Sequence, residues 1–283
     1  MSRGGRVGRI DERLAWVEAK LGECQRTTLR YFGSRLRVER KADRSPVTIA
    51  DRKIEEHLRA QISRAFPGEA IVGEEFGGSP GAARSYWTID PIDGTRGFSR
   101  GLPSWGIMMA YVQDGRPALG ACQYPAIGTF LGATPGGAYE RQAGGRRIRL
   151  PRAAIPPKLN DAVLFHGGAR WWQRTPYEAG FRRLIDRCFL ERAYGDCYGF
   201  LWLFRGRVDA IVEYDVKLWD LAPFAAMAHA TGRLMTDCAG RSSFTGPELV
   251  VAHPALVRTI VACLRAGRTF ARHAPPNRQS PLA

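Results

Sequence analysis

Trp87-Thr88-Ile89-Asp90-Pro91-Ile92-Asp93-Gly94-Thr95 decides how the rest of the chain is read. The apolar run 86–89, bounded by turn chemistry, predicts a buried strand. That strand delivers two carboxylates, Asp90 and Asp93, to its carboxyl end, a common place for function in α/β sheets. Pro91 fixes one backbone angle between the acids and removes a donor. Gly94 permits a tight turn and a close backbone approach. Two unpaired carboxylates about 4 Å apart repel by roughly 4 kcal/mol at an effective dielectric near 20. A divalent cation would turn that repulsion into attraction.

Working outward, the chain repeats the theme. Upstream, Ile71-Val72-Gly73-Glu74-Glu75-Phe76-Gly77 is again an apolar, strand-like run that ends in acids. Further upstream, in Ser45-Pro46-Val47-Thr48-Ile49-Ala50-Asp51, Thr48 is placed to cap a helix whose third position is Asp51, close to a capping box. Near the other end, Leu218-Trp219-Asp220-Leu221-Ala222-Pro223 offers Asp220 as the cap of a helix running on through Phe224-Ala225-Ala226-Met227. Carboxylates and carbonyls, with few Cys or His nearby, are hard oxygen ligands that suit Mg²⁺ or Mn²⁺ and not Zn²⁺. Singly, each motif has a plain alternative: an acidic turn, a solvated loop, a simple cap. Their joint appearance in this order is much harder to dismiss.

With these blocks in view, the chain resembles the inositol monophosphatase-like superfamily of Mg²⁺-dependent, Li⁺-sensitive phosphatases, over residues 9–268. Four blocks carry the resemblance: residues 45–51, Gly73-Glu74-Glu75, Asp90-Pro91-Ile92-Asp93-Gly94-Thr95, and Trp219-Asp220. It implies a mixed α+β fold, the layered α-β-α-β-α sandwich of the inositol monophosphatase and sugar phosphatase type. It implies that Glu74, Asp90, Asp93 and Asp220 bind metal through side chains and Ile92 through its carbonyl. By the same match Thr95, oriented by Asp51, helps activate the attacking water, and Glu74 joins them in catalysis. Mg²⁺ is the implied metal, with Mn²⁺ as a substitute and Li⁺ as an inhibitor. The chemistry agrees: metals lower the pKa of bound water and clamp the attacking and leaving oxygens. Phosphoryl transfer is mostly positioning and electrostatics, so no phosphoenzyme nucleophile is needed. Gly94 and Thr95 predict a helical start whose free N–H groups point at the phosphate.

Within the superfamily the second half discriminates. Ala193-Tyr194-Gly195-Asp196-Cys197-Tyr198-Gly199-Phe200 looks like the Gly-Asp-Cys-Tyr-Gly segment of the histidinol-phosphate branch. Lys41-Ala42-Asp43-Arg44-Ser45-Pro46-Val47-Thr48 and Gly101-Leu102-Pro103-Ser104-Trp105-Gly106 look like that branch too. Histidinol phosphate carries an ammonium and an imidazole, whereas inositol carries only hydroxyls. Asp196 and Glu213 fall in segments that shape the leaving-group pocket in this superfamily, where an acid attracts a cationic substrate. The alternative is that Asp196 starts or caps a helix and Glu213 is an edge-strand surface charge. The substrate-binding set expected from the resemblance is therefore Gly94, Thr95, Asp196, Glu213 and Asp220. The expected activity is hydrolysis of L-histidinol phosphate in histidine biosynthesis. Its rivals are an inositol-1-monophosphatase, a nucleotide 3′-phosphatase and a non-catalytic polyanion-binding protein. Two departures stand out. Ala222-Pro223-Phe224 follows Trp-Asp where small residues and a glycine are common, with Pro223 expected in the first helical turn. Thr231-Gly232-Arg233 replaces a commoner Gly-Gly pair.

Composition bounds the remaining possibilities. At 283 residues the chain can bury one large core or two smaller lobes, and 45% hydrophobic content is that of a globular protein. No run of 18 apolar residues exists, so no membrane span is expected. Residues 1–6 lack the apolar core of a secretory signal. The six cysteines show no Cys-x-x-Cys spacing, so neither a zinc site nor a redox pair is suggested. Reduced thiols in a cytoplasm are the simplest expectation. The formal charge of +15 comes almost entirely from arginine, with five lysines in the chain. The basic residues are spread throughout and no nucleic-acid motif accompanies them, so a solvated surface is favoured over specific nucleic-acid binding. The excess charge can still steer a small phosphorylated substrate. A homodimer is expected from the superfamily.

Periodicity supplies the architecture. Ile10, Leu14, Val17, Leu21, Cys24 and Phe32 recur at helical spacing, and Ile54, Leu58 and Ile62 mark a second helix ended by Pro67-Gly68. Residues 106–112 and 117–123 predict paired strands with Asp114-Gly115 as the turn; 130–133 and 138–139 continue a meander, and the basic stretch 141–152 predicts a hairpin turn plus strand. Three prolines make 151–157 the linker. It separates a lobe at 9–150, carrying most metal ligands, from a lobe at 158–270 that completes the metal site and substrate pocket, with a flexible tail at 271–283. In the second lobe, strands are expected at 162–165, 208–212 and 249–252, and helices at 178–188, after Asp220 and at 256–264. Trp171-Trp172 is open between a lid or stacking platform and a core or dimer contact, with the interface preferred. His166 is open between a pocket residue and a structural one, with the structural reading preferred; Lys41 is a phosphate contact or surface cover; and Arg100 is a contact to the substrate phosphate or solvent-exposed, with exposure preferred.

Overall fold

The computed structural model describes residues 3–34, 38–40 and 46–266. Lys41, Ser45 and the segment 271–283, with their expected roles, lie outside the described residues. In chain order the elements are α1 (Arg3–Tyr31), the two-residue strands β1 (Glu39–Arg40) and β2 (Pro46–Val47), α2 (Ile49–Ala65), β3 (Ala70–Gly73), β4 (Tyr86–Asp93) and α3 (Thr95–Phe98). A meander follows: β5 (Gly106–Gln113), β6 (Arg116–Tyr124), β7 (Thr129–Thr134), β8 (Gly137–Gln142) and β9 (Arg147–Arg149). After the linker come β10 (Val163–His166), α4 (Glu178–Arg187), β11 (Leu190–Arg192), α5 (Asp196–Phe204), β12 (Ala210–Tyr214), α6 (Leu218–Ala230), β13 (Leu234–Thr236), β14 (Glu248–Ala252) and α7 (Pro254–Arg265). Among the described residues, no helix is long and apolar enough to cross a membrane.

These elements stack in five layers. A seven-stranded sheet runs β3-β4-β5-β6-β7-β8-β9, and a five-stranded sheet runs β11-β10-β12-β14-β13. Only β3 and β4 pair in parallel in the first sheet. Alternation along its strands sorts side chains between its two faces. Trp87, Ile107, Met109 and Phe130 pack against the apolar stripe of α1 and α2, which includes Leu14, Val17, Leu21, Ile54 and Leu58. Met108, Cys122 and Leu131 face the other way, meeting Phe200 of α5, Leu221, Phe224 and Met227 of α6, and Ile211 and Val251 of the second sheet. The far face of the second sheet packs on α4 and α7 through Leu164, Val212, Phe181 and Ile260. The order α1/α2, large sheet, α5/α6, small sheet, α4/α7 is the layered mixed α/β sandwich expected from the sequence.

One close approach seats α6 on the large sheet. A side chain at Gly120 on β6 would place its Cβ 1.9 Å from the Pro223 carbonyl oxygen, so the helix backbone rests directly on the strand. Pro223 is the sixth residue of α6, inside the helix rather than in its first turn as expected from sequence. Both Asp114 (φ 52°) and Gly115 (φ 76°) are left-handed in the expected β5–β6 turn, as a primed hairpin turn requires.

Candidate metal centre and active site

The acids of the deciding stretch converge because β4 is irregular. Asp90 pairs opposite Met108 and Asp93 opposite Gly106, so three steps on β4 match two on β5. Residues three apart on a regular strand point to opposite faces; one extra residue resets that alternation. Pro91, which cannot donate to the ladder, sits in the irregularity. The strand therefore runs through both acids instead of ending before them. Gly94 follows at φ 84° and precedes α3, and a Cβ there would stand 2.7 Å from the Ser104 carbonyl.

Asp220 approaches from the next layer. It is not the helix cap: Lys217 is, and Asp220 is the third residue of α6, accepting the Lys217 N–H at 2.7 Å. One carboxylate oxygen from each of Asp90, Asp93 and Asp220 lies within 4.8 Å of the others. Glu74, Ile92, Gly94, Thr95, Arg96 and Asp196 line the same cavity of about 370 Å³. Asp51 stands behind the wall, fully buried. It accepts the Thr48 N–H at 2.8 Å and the Thr48 hydroxyl at 2.5 Å, completing the capping box of α2. The Thr95 hydroxyl lies 3.2 Å from Asp51 Oδ1 and 2.9 Å from the Ile92 carbonyl. With two acceptors for its single proton, Thr95 keeps lone pairs to take a proton from water.

Electrostatics mark the cluster as incomplete by itself. Burial, then the charges of Glu74, Asp93 and Asp220, pushes Asp90 well above the usual carboxylate range. Burial, Asp196 and Asp220 do the same to Asp93, against the opposing N–H bond from Cys197. Burial lifts Asp220 to about 7, with Glu74 and Asp196 adding to it against the Lys217 N–H. Asp51 also moves up, chiefly by burial. Three converging carboxylates beside further oxygen donors, with no sulfur or imidazole among the described residues of the cluster, match the donor set of a hard divalent cation.

A second cavity of about 290 Å³ adjoins the first, sharing Asp93, Asp196, Asp220 and Arg96. Its wall includes Glu213, which sequence reasoning left open as an edge-strand charge. The residue is instead buried on β12, the central strand of the small sheet. Its Oε1 has no hydrogen-bond partner among the described residues. Burial first, then Asp196, Asp93 and Asp220, raises its carboxyl well above the ordinary value. Gly195 permits this crowding, since a Cβ there would meet the Gly167 Cα at 2.8 Å and Glu213 Oε1 at 3.1 Å. Asp196 begins α5, at φ 54°, so it both starts a helix and lines the pocket.

Several residues were missed or unresolved by sequence. Arg96 lines both cavities, with its guanidinium 5.5 Å from the Trp171 ring centre. Trp171 is at the cavity mouth and 41% exposed, whereas Trp172 is core, stacked on Phe181. Glu55 was overlooked because a mid-helix glutamate reads as solvated. It is buried and accepts the N–H groups of Glu75 at 2.6 Å and Phe76 at 3.2 Å, holding the turn that carries Glu74. His166 is buried against Glu191 Oε2 at 2.7 Å and lines neither cavity, as a structural residue would. Arg100 is exposed and lines neither cavity.

Comparison with known proteins agrees with this geometry. The model of the inositol monophosphatase family matches residues 12–268. The chain belongs to the inositol monophosphatase family. Members of this family are metal-dependent phosphoric monoester hydrolases. Among curated relatives, the histidinol-phosphatase of Mycobacterium tuberculosis is 34% identical over 242 residues, covering 85% of this chain and 93% of its own. Among solved structures, an inositol monophosphatase from Zymomonas mobilis is 27% identical with a TM-score of 0.77, covering 90% of this chain and 98% of its own. An IMPase/NADP phosphatase complexed with Mg²⁺ and phosphate shares the fold at 21% identity, with a TM-score of 0.80 and coverage of 94% and 99%.

Proposed function

We propose that this phosphatase hydrolyses L-histidinol phosphate to L-histidinol and phosphate, in histidine biosynthesis. One observation carries the choice of substrate: Asp196 and Glu213, whose Oε1 has no hydrogen-bond partner among the described residues, line the pocket that opens beside Asp93 and Asp220. An acidic wall favours a cationic leaving group over a neutral polyol. The similarity to the histidinol-phosphatase of M. tuberculosis points the same way. Glu74, Asp90, Asp93, Asp220 and the Ile92 carbonyl would hold Mg²⁺, which supplies an acidified water and charge neutralisation at the phosphate. Mn²⁺ as a substitute, Li⁺ as an inhibitor, a homodimer and a cytoplasmic setting belong to the same proposal.

The chain's own residues do the rest. Thr95 accepts a proton from the attacking water as its own proton passes to the Asp51 carboxylate, which ends the relay protonated. The N–H groups after Gly94 face the phosphate oxygens at the start of α3, and Arg96 adds positive charge. Glu213 and Asp196 orient the ammonium and imidazole of the departing alcohol. Phosphate release from histidinol phosphate, inositol 1-phosphate and a nucleoside 3′-phosphate tests the substrate. Histidinol phosphate should lead in kcat/KM by at least about tenfold, a 1.4 kcal/mol preference. A lead for either rival ester would overturn the choice.

A further inference from the structure

Away from the acids, the linker closes over a second kind of site. A cavity of about 210 Å³ lies where residues 151–156 cross the α5–β12 turn and the end of α6, and its wall includes Arg152, Arg205, Arg207, Arg233 and His253. Asp209 is the one acid lining it, and its Oδ2 already accepts the Val163 N–H at 2.8 Å. Arg205 is committed to Glu140, at 2.6 and 3.0 Å. Arg152, Arg207 and Arg233 are bonded to no carboxylate among the described residues.

Arg233 is the decisive member. It is 9% exposed, and its guanidinium donates to two neutral carbonyls, Leu203 at 2.9 Å and Pro151 at 3.3 Å. Five N–H donors are available on such a group, so most of its bonding capacity is unspent. Burial lowers its pKa to about 10, with Asp209 only partly opposing the fall. A buried cation without a bonded counter-ion is unfavourable, and an oxyanion would relieve it through charge-assisted bonds. At the rim, His253 Nδ1 accepts the Ala255 N–H at 3.2 Å, which puts the proton of the neutral ring on Nε2. Its donors come from separate chain segments and therefore from several directions. That suits a tetrahedral oxyanion better than a planar carboxylate. None of these residues lines either active-site cavity.

We infer that the cavity around Arg152, Arg207 and Arg233 is a second anion site, built for a phosphoryl-type tetrahedral oxyanion. The Ala153 N–H donates to the Thr231 carbonyl at 2.8 Å, so an anion held here ties the linker to the carboxyl end of α6, whose other end carries Asp220.

Site-resolved arginine modification tests the inference. Full-length, Mg²⁺-loaded protein is treated with phenylglyoxal, with and without sulfate, and labelled peptides are quantified. Sulfate should slow modification of Arg152 and Arg207 by about threefold or more, the factor 1 + [L]/Kd at twice the dissociation constant. Arg183 and Arg187, exposed on α4, should be unaffected. Equal slowing by chloride at matched ionic strength, or equal slowing at the α4 arginines, would reduce the effect to screening and overturn the site. Protection by citrate but not sulfate would overturn the tetrahedral assignment. Arg233→Gln, checked for folding by circular dichroism, should abolish the protection; if it does not fold, the wild-type comparison still decides.

Discussion

Asp220 is where protonation and the proposed metal binding meet. Burial and neighbouring acids lift it from an ordinary 3.8 to about 7. A folded-state pKa raised in this way means the metal-free native state binds more protons than the unfolded chain between those values, so this group's contribution to stability falls as pH rises through that window. Metal needs the ionised form. Thermal stabilisation by Mg²⁺, measured as the Tm difference with and without chelator, should therefore grow as pH rises from about 4 to about 7. A difference that shrinks over that window would remove Asp220 from the metal set. Asp93→Asn should lower kcat at least about a hundredfold with the fold retained, and Asp51→Asn should fall in the 10²–10⁴ range of a lost proton-transfer partner. Asp196→Asn should act differently, raising KM for a cationic substrate while kcat changes little; an unchanged KM would remove it from the pocket. At this scale the sequence was most legible where chemistry is local. Asp90, Asp93 and Glu74 announce themselves where apolar strand-like runs give way to acids, and Thr95 only through the family resemblance. Arg96, Trp171 and Glu55 do not, because their partners lie in other elements or far along the chain.

Among the elements, backbone approach decides more than propensity does. Gly120→Ala would drive a methyl into the Pro223 carbonyl, and overpacking of this kind typically destabilises by about 1–3 kcal/mol. Because α6 carries Asp220, the same variant should also raise the Mg²⁺ concentration needed for half-maximal rate. Thermal melting together with a metal titration checks both, and a lowered Tm with an unchanged metal requirement would uncouple the helix from the site. Glu55→Gln removes the charge from two N–H bonds to the Glu74 turn and from the ion pair with Arg59. Hydrogen bonds to charged groups contribute roughly 1.5–3 kcal/mol each, so a loss of that order is expected in denaturant unfolding. The long helices and the meander could be read from period and turn residues alone. The three-residue strands β11 and β13 could not, since neither is long enough to show alternation, and both exist through pairing with β10 and β14. The β4 irregularity was also hidden. Pro91 hinted at it, but the extra residue is defined only against β5.

For the whole molecule, the proposed metal set draws on two layers and the proposed substrate pocket mainly on one. Asp90, Asp93 and Glu74 belong to the large sheet and its loops, whereas Asp196, Glu213 and Asp220 come from α5, the small sheet and α6. Periodicity could say only that α and β were mixed; the layering became legible through the family resemblance, because stacking depends on which faces are apolar together. A net charge of +15 should steer a phosphorylated substrate, so kcat/KM should decline as ionic strength rises; a flat salt profile would exclude long-range attraction. The chain passes from the large sheet to the small one once, through the proline-rich stretch 151–157. That single crossing is a natural seam for recombination. Two family members joined there would take Glu74, Asp90 and Asp93 from one parent and Asp220, with the acids proposed to choose the alcohol, from the other, so the joint works only if Asp220 and the apolar seam between Met108 and Phe224 are both matched.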